Sequence, residues 1–153
     1  MEFGTIEREI HIDATPEIVF EVVSSPEHLQ EWWADEAELR SATPGSVGEL
    51  AWGDKENPRS HVETFTVVEA DRPRRFAFRW VYEQAPTGGT SLLVTFDLLP
   101  AGTGTKLRMT ESGFREKGWE IAVLEEAYRE HSEGWDMFVP RLAEYAARLA
   151  ATR

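Results

Sequence analysis

Residues 124–150 read LEEAYREHSEGWDMFVPRLAEYAARLA, and the rest of the chain is arranged around them. Leu124, Tyr128, His131, Trp135, Phe138, Leu142, Tyr145 and Leu149 recur at steps of four and three, the spacing of one helix face. Charged residues such as Glu125, Arg129, Glu133, Asp136, Arg141 and Arg148 occupy the remainder. At 1.5 Å per residue such a helix is roughly 40 Å long, enough to cross a small domain. Most helical stability comes from packing an apolar face, so a wide apolar surface must lie beneath it. The stripe is rich in aromatic rings and includes His131, where a plain core helix would carry Leu and Ile. Gly134 costs about 1 kcal/mol relative to alanine inside a helix, so a neighbour approaching closely at that turn is expected. Pro140 removes the bond to the Asp136 carbonyl, at a cost on the order of 3 kcal/mol, and is expected to bend the helix.

The surface under the helix is legible upstream. Residues 5–14 alternate, with Ile6, Ile10 and Ile12 on one side and Glu7, Glu9, His11 and Asp13 on the other, as in a half-buried strand. Thr15-Pro16-Glu17 opens one short helix, and Ser25-Pro26-Glu27 opens a second that runs through Trp32 and Trp33. Strands are then predicted over 36–42, 47–52, 61–70, 74–82, 91–99 and 105–111, separated by Gly-, Pro- and Asp-rich turns at 43–46, 54–58, 71–73, 85–89 and 100–104. Such short connections make neighbouring strands antiparallel. Phe76, Phe78, Trp80 and Tyr82 share one face, as do Leu92, Val94, Phe96 and Leu98, and Leu107 and Met109. The fold class is therefore α+β: a curved seven-stranded antiparallel sheet wrapped around one long C-terminal helix, with two short helices after the first strand.

A chain of 153 residues is expected to form one domain, residues 1–153. Its net charge is −12, and from Glu9 to Glu38 there are nine carboxylates and no Lys or Arg. That balance argues against nucleic acid and anionic membrane surfaces as partners. No apolar run is long enough to span a bilayer, and the acidic start MEFGTIERE has no secretory h-region. The absence of cysteine fits a reducing cytoplasm, which is the expected location.

The order of these elements, with certain segments, resembles the helix-grip fold of the START-related (SRPBCC) superfamily and, within it, the AHSA1-like group (activator of Hsp90 ATPase homologues). The segments are Trp32-Trp33, Phe78-Arg79-Trp80, VTFDLLP at 94–100, GTKL at 104–107, ESGF at 111–114 and HSEGW at 131–135. The resemblance spans nearly the whole chain. It implies small-molecule binding between sheet and helix, or a co-chaperone-like interaction module, with a cyclase- or hydrolase-like enzyme as a further alternative. Glu111 stands where similar proteins often carry His, and Pro140 is a second departure.

One helix about 10 Å across cannot cover a sheet of six or seven strands spaced about 4.8 Å apart. An apolar cavity is therefore expected, lined from among Trp33, Phe78, Trp80, Phe96, Met109, Phe114, Trp135 and Phe138, with His131 or Glu111 as a polar anchor. The expected ligand is a small hydrophobic or aromatic molecule, since rigid rings suit a flat or apolar partner. For His131 the first expectation is a satisfied core histidine, hydrogen-bonded to a carbonyl or carboxylate, with the polar anchor as the sharper alternative. Glu111 shares the parity of Leu107 and Met109 and should face inward, where a carboxylate needs a partner. Arg8, on the parity of Ile6 and Ile10, is the expected one if the first and last strands adjoin; an acid–base role at the cavity is the alternative. The four histidines fall at no metal-ligand spacing, so no metal is expected. Nucleophile elbow, phosphate loop and dinucleotide fingerprint are all missing, so no motif supports an enzymatic role, which stays open; no cofactor is expected. A protein partner stays open, and so does the choice between monomer and homodimer.

Overall fold

Apolar parity organises the sheet. A computed structural model describes residues 4–81, 91–117 and 119–153, and among these seven strands form one curved antiparallel sheet. In chain order the elements are β1 (Thr5–Ile12), α1 (Pro16–Ser24), α2 (Pro26–Trp32), β2 (Glu36–Leu39), β3 (Val47–Trp52), β4 (His61–Asp71), β5 (Arg75–Trp80), β6 (Leu92–Ala101) and β7 (Gly104–Ser112). A 3-10 turn at Arg115–Lys117 leads into α3 (Ile121–Ala151). The strand order is β1-β7-β6-β5-β4-β3-β2, so the first and last strands do adjoin.

Side chains of matching parity meet across the ladder: Phe76 opposite Phe96, Phe78 opposite Val94 and Trp80 opposite Leu92, all buried. A β-bulge between Val67 and Glu69 re-registers β4 against β5, the kind of irregularity that bends a strand. At Gly48 an added Cβ would lie 2.5 Å from the Glu38 carbonyl and from the Phe65 ring, so this ring sits directly on backbone. The opposite face of the sheet carries cross-strand ion pairs, among them Arg108–Glu9 at 3.0 Å and Arg75–Asp97 at 2.6 Å.

Both Pro-initiated helices form, the second ending at Trp32 with Trp33 as its C-cap instead of running through Trp33. Thr15 caps α1 by accepting from the Ile18 amide, and Trp32 anchors α2 by donating its indole N–H to the Val22 carbonyl at 2.9 Å. The β5 strand stops at Trp80, two residues short of the expected end, and both Tyr82 and the expected turn at 85–89 lie outside the described residues. The β2 strand ends at Leu39 rather than residue 42.

The long helix starts at Ile121 and runs unbroken through Pro140 to Ala151. Its fully buried residues are Trp135, Val139, Leu142 and Ala146, whereas Phe138, Tyr145 and Leu149 lie half-buried on the flank. The aromatic stripe therefore marks the burial face as far as Trp135, and small aliphatic residues take over beyond it. No neighbour approaches Gly134 closely: an added Cβ would meet only the Phe138 ring, at 3.9 Å. That corrects the expectation of a tight contact there. Among the described residues no helix is long and apolar enough to cross a membrane.

Coverage of the sheet is uneven. The α3 backbone packs along β1 and against α1 and α2, while α1 sits over β5, β6 and β7. Among the described residues no helix packs its backbone along β3 or β4, consistent with the width of the sheet.

Candidate functional site

In that uncovered corner the sheet and α3 enclose a cleft of about 270 Å³. Its walls are indoles: Trp52 from the end of β3, Trp80 from the end of β5, Trp135 from the middle of α3, and Trp33 just after α2. Trp33 is the hub, with ring centroids 5.8, 5.1 and 5.4 Å from those of Trp52, Trp80 and Trp135. Phe138 and Gly134 of α3 and Val81 complete the apolar lining, and Gly134 thus leaves room rather than admitting a neighbour. Val81 has φ of +55°, a strained conformation for a β-branched residue, and its carbonyl accepts from the buried Lys117 ammonium at 2.6 Å.

Beneath the cleft lies Glu111 on β7, completely buried. Its carboxylate accepts from Trp80 Nε1 at 2.7 Å, Trp135 Nε1 at 2.9 Å and His131 Nδ1 at 2.8 Å. The three donors come from β5 and two turns of α3, so this one carboxylate ties sheet to helix. Burial opposes protonation of His131, but the hydrogen bond to Glu111 and the charges of Glu111, Glu63 and Glu130 outweigh it and raise its pKa. Since Nδ1 is spent on Glu111, Nε2 is the ring nitrogen left for a ligand.

Arg8 is not the partner of Glu111. Its side chain reaches α3 instead, with Nε 2.8 Å from Asp136 and Nη2 2.7 Å from the Ser132 hydroxyl. Both residues do face inward, but across the strand pair Arg8 stands opposite Met109 and Ile6 opposite Glu111.

The cleft also holds Glu63 and His61 on β4 and Glu130 on α3. Glu63 shares the inward parity of Phe65 and Val67, and its carboxylate lies 3.1 Å from His61 Nε2. Loss of solvent pushes the Glu63 pKa up, against the charges of His61, His131 and Lys117 and the hydrogen bond to His61.

Of the residues expected at a cavity, Trp33, Trp80, His131, Trp135 and Phe138 line this cleft. Phe78, Phe96, Met109, Phe114 and Glu111 are buried in the layer below, where Phe78 packs on Trp33 at 5.8 Å and Phe114 on His131 at 5.4 Å. Trp52, His61, Glu63 and Glu130 were not among the expected lining. Parity carried the signal for the strand residues, since Trp52 and His61 are directly opposed, as are Leu50 and Glu63. Among the described residues no group of three or more His, Cys, Asp or Glu is placed to hold a metal ion.

The family model described as activator of Hsp90 ATPase homolog 1-like protein matches residues 13–147. Among curated proteins none matches. Solved structures share the fold. A protein of Mesorhizobium loti superposes with a TM-score of 0.74 at 23% identity, over 94% of this chain and 97% of its own. The Aha1 dimer of Colwellia psychrerythraea, solved in solution, gives 0.73 at 17% identity over 94% and 96%. A protein from the dynemicin biosynthetic locus gives 0.70 at 21% identity, over 93% of this chain and 46% of its own.

Proposed function

The chain belongs to the activator of Hsp90 ATPase homolog 1-like family, and from that premise we propose that it binds a small hydrophobic or aromatic molecule in the cleft between sheet and α3. One observation carries this reading: the cleft keeps about 270 Å³ open although Trp33, Trp52, Trp80 and Trp135 surround it. Indoles free to collapse would fill such a space, because packing is dense in protein interiors. Here two of them are held back, Trp80 and Trp135 by Glu111. Trp52 is held by its bond to the Trp33 carbonyl at 2.8 Å. An engineered cavity of about 150 Å³ takes benzene, so this volume suits a molecule of one or two rings. A cytoplasmic setting is part of the proposal. Native mass spectrometry of protein purified from its source tests it. A co-purifying molecule of that size, lost on unfolding, is the expected result, and a uniformly empty protein whose tryptophan fluorescence no small aromatic changes would refute it.

A second reading is favoured by the family itself and by the similarity to a protein solved as a dimer. In it the chain is an interaction module, acting as a homodimer or on a chaperone, and its charge of −12 calls for a basic surface on the partner.

A further inference from the structure

We infer that the cleft selects an organic ammonium: an apolar body of one or two rings bearing a positively charged amine, with the indole faces as walls and Glu63 as the counter-ion. The inference rests on the proposed binding role and adds the chemical class of the occupant.

Trp80 and Trp135 commit their N–H groups to Glu111, and Trp52 commits its own to the Trp33 carbonyl. What these three rings offer a ligand is therefore π surface, which attracts cations through the ring quadrupole.

Glu63 is a carboxylate on the apolar face of β4, its side chain only 20% exposed, and among the described residues its ion-pair partner is His61, which is 63% exposed at the rim. Burial disfavours the charged form of Glu63. A cation brought into the cleft would offset that cost directly. Glu130 adds a second carboxylate from α3.

The opposing charges are accounted for. Protonated His131 is matched at 2.8 Å by Glu111, so that pair is neutral as a unit. The Lys117 ammonium is engaged by the Val81 carbonyl and lies 5.1 Å from the centre of the Trp119 ring. An anionic ligand would thus meet two carboxylates, and the net charge of −12 favours approach of cations from solution.

Three probes with one carbon skeleton test this: 3-phenylpropylammonium, 3-phenylpropanol and 3-phenylpropanoate, titrated against the full chain by calorimetry. The ammonium should bind about tenfold or more tighter than the alcohol, and the carboxylate weakest. In Glu63→Gln the ammonium should fall to within about threefold of the alcohol, while the alcohol keeps its affinity. Near-UV circular dichroism confirms that this variant is folded, and Glu130→Gln, expected to lose less, serves as an independent second variant. If the alcohol or carboxylate binds as tightly as the ammonium, the class is wrong and the cleft remains a binding site. If none of the three binds, the binding role and this inference fall together.

Discussion

Replacing Glu111 by glutamine alters hydrogen bonding without altering shape. In the wild type Oε2 accepts from Trp80, while Oε1 accepts from both Trp135 and His131. A glutamine has one acceptor oxygen. With that oxygen in the Oε1 position, its NH₂ faces the Trp80 N–H, donor against donor. With the amide flipped, Trp80 is satisfied and Trp135 is not. Either way one buried indole N–H is orphaned, at about 1–3 kcal/mol, and the remaining bonds lose their charge assistance, about 1 kcal/mol more. The expected loss is therefore about 2–4 kcal/mol in urea unfolding followed by tryptophan fluorescence. The pH dependence must change as well. The folded-state pKa of His131 is raised, so its contribution is fully present below the unfolded value of about 6.5 and is lost as pH rises through the folded value. Without the Glu111 charge that slope should flatten, and the His131 titration followed by NMR should move to lower pH. A variant within about 0.5 kcal/mol of wild type, with the slope intact, would show that the three-donor carboxylate does not hold sheet to helix.

Glu63→Gln should stabilise the fold at neutral pH: its raised folded-state pKa means that wild-type stability falls as pH climbs from 4.5 through the folded value, and urea midpoints across that range should lose this decline. Gly134→Ala should raise stability by about 0.5–1 kcal/mol, since space exists for the methyl group, yet weaken ligand binding because that space belongs to the cleft. Gly48→Ala should do the reverse and destabilise by about 1–3 kcal/mol, its Cβ colliding with the Phe65 ring and a backbone carbonyl, as thermal unfolding would register. Arg8→Ala should cost only about 1 kcal/mol, because Asp136 is 65% exposed, and a double-mutant cycle with Asp136→Asn measures the pair alone.

Periodicity made most of the fold legible. Alternation at Phe76, Phe78 and Trp80, matched at Leu92, Val94 and Phe96, is a strictly local signal, and each strand face came out as expected. The site was legible only in part, because it depends on where α3 sits across the sheet. Glu111 could be read as facing inward, but its partner comes from a helix whose rotation and height no strand pattern encodes. Arg8, equally inward, reaches past the sheet to Asp136 and Ser132 for the same reason. Beyond Trp135 the aromatic spacing pointed to Phe138 and Tyr145, whereas Val139 and Ala146 are buried, small residues being what a close helix–helix contact selects. Trp52 and Glu63 were accessible by parity, since Leu50 and Phe65 bracket them on the inner face. A carboxylate on an apolar strand face, as Glu63 is, carries the more informative signal of the two.

The central claim, that the indole-walled cleft receives a small apolar or aromatic molecule, is tested most directly by the indole N–H resonances of the six tryptophans during a titration with 3-phenylpropylammonium. The signals of Trp33, Trp52, Trp80 and Trp135 should shift together and saturate at one equivalent, while that of Trp32, fully buried and bonded to the Val22 carbonyl, stays still. If those four signals do not move with this probe, nor with its alcohol and carboxylate counterparts, the account of the cleft is contradicted.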